Sequence, residues 1–189
     1  MKALEEKILQ EGEVVDGDIL KVDGFVNHQV DALLMEEIGK DMAEHLKGQG
    51  ITKVFTIESS GIAPALFTAK ELGVPLVILK KQQTADSLKT EVWQTEVVSY
   101  TKDTSYRLTL AKNYISDEDH VLIVDDFLAN GEAATGAIRL IRKAHATVAG
   151  LGVLIEKAFQ PGREKLESQG IHVYAQASIK AFENGKVVF

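Results

Sequence analysis

One stretch limits what this chain can fold into more than any other: residues 121–136, VLIVDDFLANGEAATG. Val121, Leu122, Ile123 and Val124 form an unbroken apolar run, the pattern of a short strand buried on both faces of a parallel sheet. Asp125 and Asp126 follow directly, then the small-residue turn Ala129-Asn130-Gly131, then a helical pattern from Glu132 to about Lys143. Strand, acidic pair, turn and helix make up half of a βαβ unit, and ligands of such sheets lie off the carboxyl ends of the strands. A helix N-terminus placed there has free N–H groups and a partial positive charge, which favour a phosphate. The two carboxylates beside it can hold sugar hydroxyls or a cation-bound ligand. A buried strand simply ended by two acids is the plain alternative, and the attached glycine turn and helix weigh against it.

The flanking chain supplies a second copy of the pattern. Residues 53–57 read as a strand, Glu58-Ser59-Ser60-Gly61 as the loop at its end, residues 62–72 as a helix closed by Gly73, and residues 75–79 as another strand. Residues 31–48 are the clearest helix, with Val30, Leu34, Ile38, Met42 and Leu46 recurring every fourth position. Residues 2–10 predict a short amphipathic helix, residues 13–22 an extended or looped segment, and residues 21–27, KVDGFVN, a surface hairpin bent at Gly24. The polar run from Lys80 to Glu96 is long for an αβ connection, so residues 82–96 fit a closing lid or a plain surface excursion. Residues 97–100 and 107–111 predict a strand hairpin joined through 101–106. Downstream come a strand over 148–155 ending in Glu156-Lys157, a loop marked by Phe159, Pro161 and Gly162, a helix over 163–169, a strand over 171–177, and the apolar tail Val187-Val188-Phe189. The expected fold is α/β, a mainly parallel sheet flanked by helices, in a single domain over residues 1–189.

Composition narrows the function. The net charge of −7 argues against a general nucleic-acid surface. There is no cysteine, so neither a disulfide nor a thiolate zinc site is available. The histidines at 28, 45, 120, 145 and 172 have no ligand partner at the i+4 spacing, and no zinc site is assigned. No stretch approaches the roughly 20 apolar residues of a membrane span, and acids interrupt the N-terminal segment. A soluble cytoplasmic protein that engages neither membrane nor nucleic acid is expected.

Two further groups have chemical potential. Ser59 and Ser60, with the free N–H groups of their loop, could hold a second anion, although E-S-S-G alone is more often a helix cap. Lys80 and Lys81 fit a solvated surface pair as well as a counter-charge for an anionic leaving group.

The motif at 121–136 resembles the phosphoribosyl-pyrophosphate (PRPP) motif of the type I phosphoribosyltransferases. The stretches KVDGFVNHQVD, TIESSGIAPA, VLIVDDFLANG and IEKAFQPGR extend the resemblance over nearly the full length, toward members that act on 6-oxopurines. One departure stands out: Asn130 and Ala133 occupy positions where many members carry threonines, which leaves phosphate binding to backbone N–H groups. The resemblance implies the type I phosphoribosyltransferase fold, with a small hood from about residues 1–30 and the C-terminal tail, and a flexible lid loop. It implies transfer of the phosphoribosyl group to a purine through an oxocarbenium-like transition state, where electrostatic positioning does most of the work. Asp125 and Asp126 would hold the ribose hydroxyls. Ala129, Asn130, Gly131, Glu132 and Ala133 would cradle the 5′-phosphate, and Ser59, Ser60 and Lys81 the pyrophosphate. Mg²⁺ would arrive with PRPP and be held mainly by it, so no protein metal site is expected. Leu20, Asn27, Lys157 and Phe159 would hold the base, Asn27 suiting the extra carbonyl that separates xanthine from hypoxanthine. Read from residues alone, Leu20 is core and Asn27 a turn residue; the resemblance reverses both. A homodimer is the implied assembly. An adenine or hypoxanthine–guanine enzyme shares the PRPP site. A purine-sensing regulator would need a DNA-binding module, which the acidic N-terminal segment does not resemble. A receiver-like domain would leave the glycine turn without a purpose.

Overall fold

The computed structural model describes residues 1–81, 91–99 and 104–189, with the backbone alone at Ser99 and Thr104. Among the described residues a seven-stranded sheet runs β5-β6-β4-β3-β7-β8-β9. Its parallel part is β4 (Leu76–Lys81), β3 (Lys53–Ile57), β7 (His120–Leu128), β8 (Thr147–Lys157) and β9 (Val173–Ile179). At one edge β5 (Val92–Ser99) and β6 (Thr104–Ala111) form an antiparallel hairpin on β4.

Helices cover both faces because the core strands are apolar on both. On one face Val54, Leu122, Val124 and Leu154 pack under α1 (Lys2–Glu11), α2 (Ala32–Leu46) and α3 (Ile62–Leu72). On the other, Phe55, Ile123, Leu151 and Val153 pack under α4 (Glu132–Lys143) and α5 (Gly162–Glu167). The every-fourth-residue stripe of α2 is buried at Leu34, Ile38, Met42 and Leu46, and Asp31 caps the helix by accepting the Leu34 N–H. Val30, expected to head that stripe, is exposed ahead of the cap. No helix among the described residues is long and apolar enough to cross a membrane.

Two small hairpins lie outside the sheet: β1 (Glu13–Val15) with β2 (Ile19–Lys21), and β10 (Ala181–Glu183) with β11 (Lys186–Val188). The N-terminal hairpin touches the C-terminal one through β1 and β11.

Three expectations are corrected. The hairpin expected at 21–27 lies upstream, and Asp23–Asn27 is instead a single π-helical turn that buries Phe25 and Val26. Residues 92–96 are not part of a lid: they belong to β5, where Trp93 faces Leu110 and Thr95 faces Leu108 across the hairpin. Their β-branched and aromatic residues pair well with β6 despite the interleaved polar ones. Residues 82–90 of that segment lie outside the described residues, as does the first half of the predicted connection, 101–103, while Thr104 already starts β6. Third, β7 does not stop at Val124 but continues through both aspartates to Leu128, pairing Phe127 with Ile155 of β8.

Candidate active site

The carboxyl ends of β3, β4, β7 and β8 meet on one rim of the sheet, and the candidate residues are distributed along it. Because β7 stays extended through the acidic pair, Asp125 and Asp126 alternate in direction. Asp125 is 8% exposed, whereas Asp126 is half-buried. Each carboxylate accepts the next backbone N–H: Asp125 Oδ1 from Asp126 at 3.0 Å, Asp126 Oδ1 from Phe127 at 2.9 Å. Burial, and then the neighbouring Asp126 charge, push the Asp125 carboxyl well above the ordinary range, and Lys81 pulls against them.

Both aspartates line a recess of about 180 Å³ together with Ser59, Ser60, Lys81 and Ala133. A smaller recess of about 100 Å³ shares Asp125 and Ala133 and is walled by Ala129, Asn130, Gly131 and Glu132. The structure therefore brings together the acidic pair, the Ala129–Ala133 turn, the Ser59-Ser60 loop and Lys81.

Glycine makes this approach possible at two points. A Cβ on Gly61 would stand 2.3 Å from Thr56 Oγ1 and 2.9 Å from Asp125 Oδ1, so a side chain there would push the serine loop off the aspartate. A Cβ on Gly162 would stand 2.2 Å from the Ala129 carbonyl oxygen, which accepts the Gly162 N–H at 3.1 Å. The turn after β7 is thus buttressed, backbone to backbone, by the start of α5. Lys165 adds to this, donating to the Asn130 carbonyl at 2.9 Å and lying 3.9 Å from Glu132.

The two adjacent lysines separate. The Lys80 ammonium is paired with Glu58 at 3.2 Å. Lys81 lines the recess, its ammonium 5.2 Å above the Tyr106 ring. The Tyr106 hydroxyl is held above its usual range by burial, then by the charges of Asp125 and Glu132.

At the end of β8, Lys157 donates to the Asp18 carbonyl of the β1–β2 turn at 2.6 Å and lies 5.8 Å from the Phe182 ring centre. Burial lowers its pKa, with Asp18 opposing. Phe159 is exposed and meets Phe182 edge-on at 5.6 Å. Lys157, Phe159 and the N-terminal hairpin are therefore neighbours. The Leu20 side chain is 5% exposed and packs in the α1 and α2 core, so only its backbone is available on this side. Asn27 is exposed at the end of the π-helical turn and makes no hydrogen bond to Lys157 or Phe159.

Sequence reasoning did not single out Glu58, Tyr106, Lys165 or Phe182. Glu58 had a local signal only in being an acid at a strand end; its lysine partners, like the contacts of the other three, are distant in sequence.

Among the described residues no three acidic or histidine side chains converge into a metal cage. The donor set at the rim is two adjacent carboxylates, which fits a hard cation taking its remaining oxygens from a phosphorylated substrate.

Residues 27–182 match the phosphoribosyl transferase domain model. Over all of this chain and 98% of its own length, xanthine phosphoribosyltransferase of Agathobacter rectalis is 57% identical. Over all of this chain and 95% of its own length, that of Bacillus cereus is 50% identical. The crystal structure of adenine phosphoribosyltransferase from Thermoanaerobacter pseudethanolicus superimposes with a TM-score of 0.77 over 93% of this chain and 99% of that one, at 24% identity, a likeness of fold. With the domain match over most of the chain and identity of 50–57% over its whole length, the chain belongs to the phosphoribosyltransferase family and, within it, to the xanthine phosphoribosyltransferases.

Proposed function

We propose that this chain transfers the 5-phosphoribosyl group of PRPP to xanthine, giving xanthosine 5′-monophosphate and pyrophosphate, a purine-salvage reaction. The observation that carries the chemistry is the position of Asp125 and Asp126 at the end of β7, between the Ala129–Ala133 turn and the Ser59-Ser60 loop. The relatives' names supply the base.

The 5′-phosphate takes the N–H groups at the start of α4, where the helix end favours negative charge. The carboxylates of Asp125 and Asp126 accept the ribose hydroxyls and fix the ring. The pyrophosphate lies toward Ser59, Ser60 and the Lys81 ammonium. A bond forms between a base nitrogen and C1′ while the C1′–O bond breaks; the electron pair of the C1′–O bond leaves with the pyrophosphate, and the proton on the attacking nitrogen passes to water. Positive charge grows on the sugar in that step, so fixed carboxylates beside it stabilise the transition state more than the ground state. Mg²⁺ carried by PRPP would lie against Asp125 and Asp126 and neutralise pyrophosphate charge.

The base lies between Phe159 and Phe182 on the C-terminal side and the β1–β2 hairpin on the other. Lys157 donates to a ring carbonyl once its ammonium leaves the Asp18 carbonyl, the Leu20 backbone lines the hairpin side, and Asn27 is assigned to the second carbonyl. In this reading one domain over residues 1–189 holds the whole site, its hood is the pair of small hairpins, and the protein acts in the cytoplasm as a homodimer.

Exchanging Lys157 for methionine separates the two halves of the site. The variant keeps most of the stem length but loses the donor, and we expect the KM for xanthine to rise by roughly 30-fold, the cost of leaving a buried carbonyl unpaired. The KM for PRPP should stay within about twofold. Steady-state kinetics with each substrate varied in turn checks this, and an equal loss for both substrates would make Lys157 structural.

A further inference from the structure

We propose that Glu58 is a positioning residue that assigns different tasks to two adjacent lysines, holding Lys80 in an ion pair and fixing Lys81 toward the departing pyrophosphate. This inference rests on the pyrophosphate role given to Lys81 above.

The geometry is a three-point grip. The Glu58 N–H donates to the Leu79 carbonyl at 3.1 Å, which carries the β3–β4 ladder one residue past the Ile57–Leu79 pair. Its side chain then reaches back across the strand. Oε1 accepts the Lys81 backbone N–H at 2.5 Å and Oε2 pairs with the Lys80 ammonium at 3.2 Å. Side chains alternate along a strand, so Lys80 and Lys81 point to opposite faces. One carboxylate can therefore bind the first lysine's side chain and the second lysine's backbone together. The consequence differs for each. Lys80 is neutralised and turned from the recess, while Lys81 is fixed at its backbone and its ammonium, in no ion pair among the described residues, lies along the recess wall, over the Tyr106 ring and within electrostatic reach of Asp125. Glu58 itself opens the loop that carries Ser59 and Ser60, so the grip also ties that loop to the end of β4. The loop and the lysine that meet the leaving group are held as one unit.

The test is steady-state kinetics with PRPP varied at saturating xanthine. Lys81→Met should raise the KM for PRPP by about tenfold or more, the loss of one charge-assisted contact. Lys80→Met should leave it within about twofold. Glu58→Ala should raise it by roughly tenfold, and Glu58→Ala with Lys81→Met should be no worse than Lys81→Met alone, because both remove the same contact. A double variant whose loss is the product of the two single losses overturns the inference and leaves the reaction standing. A silent Lys81→Met removes the pyrophosphate role, and this inference with it. Glu58→Gln keeps an acceptor for the Lys81 N–H and should retain nearly the parental KM. A tenfold rise in that variant overturns the grip even if Glu58→Ala does not fold.

Discussion

Asparagine in place of Asp125 is expected to lower turnover by about 100-fold, the scale set by removing one preorganised group that stabilises transition-state charge. The same change should make the ligand-free protein more stable at neutral pH. Both effects come from one feature, a carboxylate buried at the end of β7 beside a second carboxylate. In the unfolded chain Asp125 titrates in the ordinary carboxylate range near pH 4. In the folded chain burial and Asp126 hold its proton to higher pH. Between those two values the folded state binds more protons than the unfolded state, so stability falls as pH rises through the window and the full cost applies above it. Asparagine is isosteric, cannot ionise, and can still accept the Asp126 N–H. Its advantage should be absent at about pH 4 and grow toward neutrality. Urea unfolding of parent and variant in the presence of a chelator, from about pH 4 to about pH 8, reads this directly. A variant less stable than the parent throughout would mean that the Asp125 charge is compensated in the fold.

Removal of the Arg163 guanidinium should cost about 3 kcal/mol of stability, the lower end for breaking a buried ion pair. At this chain length that lowers the melting temperature by roughly 10 °C. Arg163 grips Glu156 with two parallel bonds, Nε to Oε1 at 2.7 Å and a terminal nitrogen to Oε2 at 2.8 Å, and donates also to the Val173 carbonyl at 2.9 Å. Glu156 is 2% exposed; its one other partner among the described residues is the Ser178 hydroxyl, at 3.0 Å. Arg163→Ala leaves that carboxylate buried without its counter-charge. Glu156→Gln in the same background should recover much of the loss, because the stranded charge is then gone. Since Glu156 adjoins Lys157 in β8, and α5 supports the turn after β7, activity should fall with stability. Thermal melts of the two variants check the account, and a drop below about 1 kcal/mol would show that water reaches Glu156 freely.

The parts of the fold legible in the sequence were those whose signals are local. The apolar run of β7, the turn after it and the helix from Glu132 to Lys143 all carry short-range periodicity or turn chemistry, and the structure has them at the expected places. The alternation from β3 to β4 was legible for the same reason. The first half of β5 was not: in VWQTE the polar residues conceal the strand, and only the facing Leu108 and Leu110 of β6 give it a partner, whereas Val97–Ser99 falls within the strand expected over 97–100. Two adjacent lysines are alike in sequence, and a carboxylate 22 positions upstream tells them apart. Leu20 looked like core from its residue type, and its side chain is core. The buttress of Gly162 and Lys165 on the turn after β7, and the Phe159–Phe182 pair, join segments that local patterning does not connect.

The most direct test of the central claim is product formation from PRPP and Mg²⁺ with xanthine, hypoxanthine, guanine and adenine offered separately. In the proposed base site Lys157 and Asn27 would supply polar partners for two ring carbonyls, so xanthine should give the highest kcat/KM, and adenine, with no ring carbonyl, the lowest. Highest turnover with adenine would contradict the base site built here.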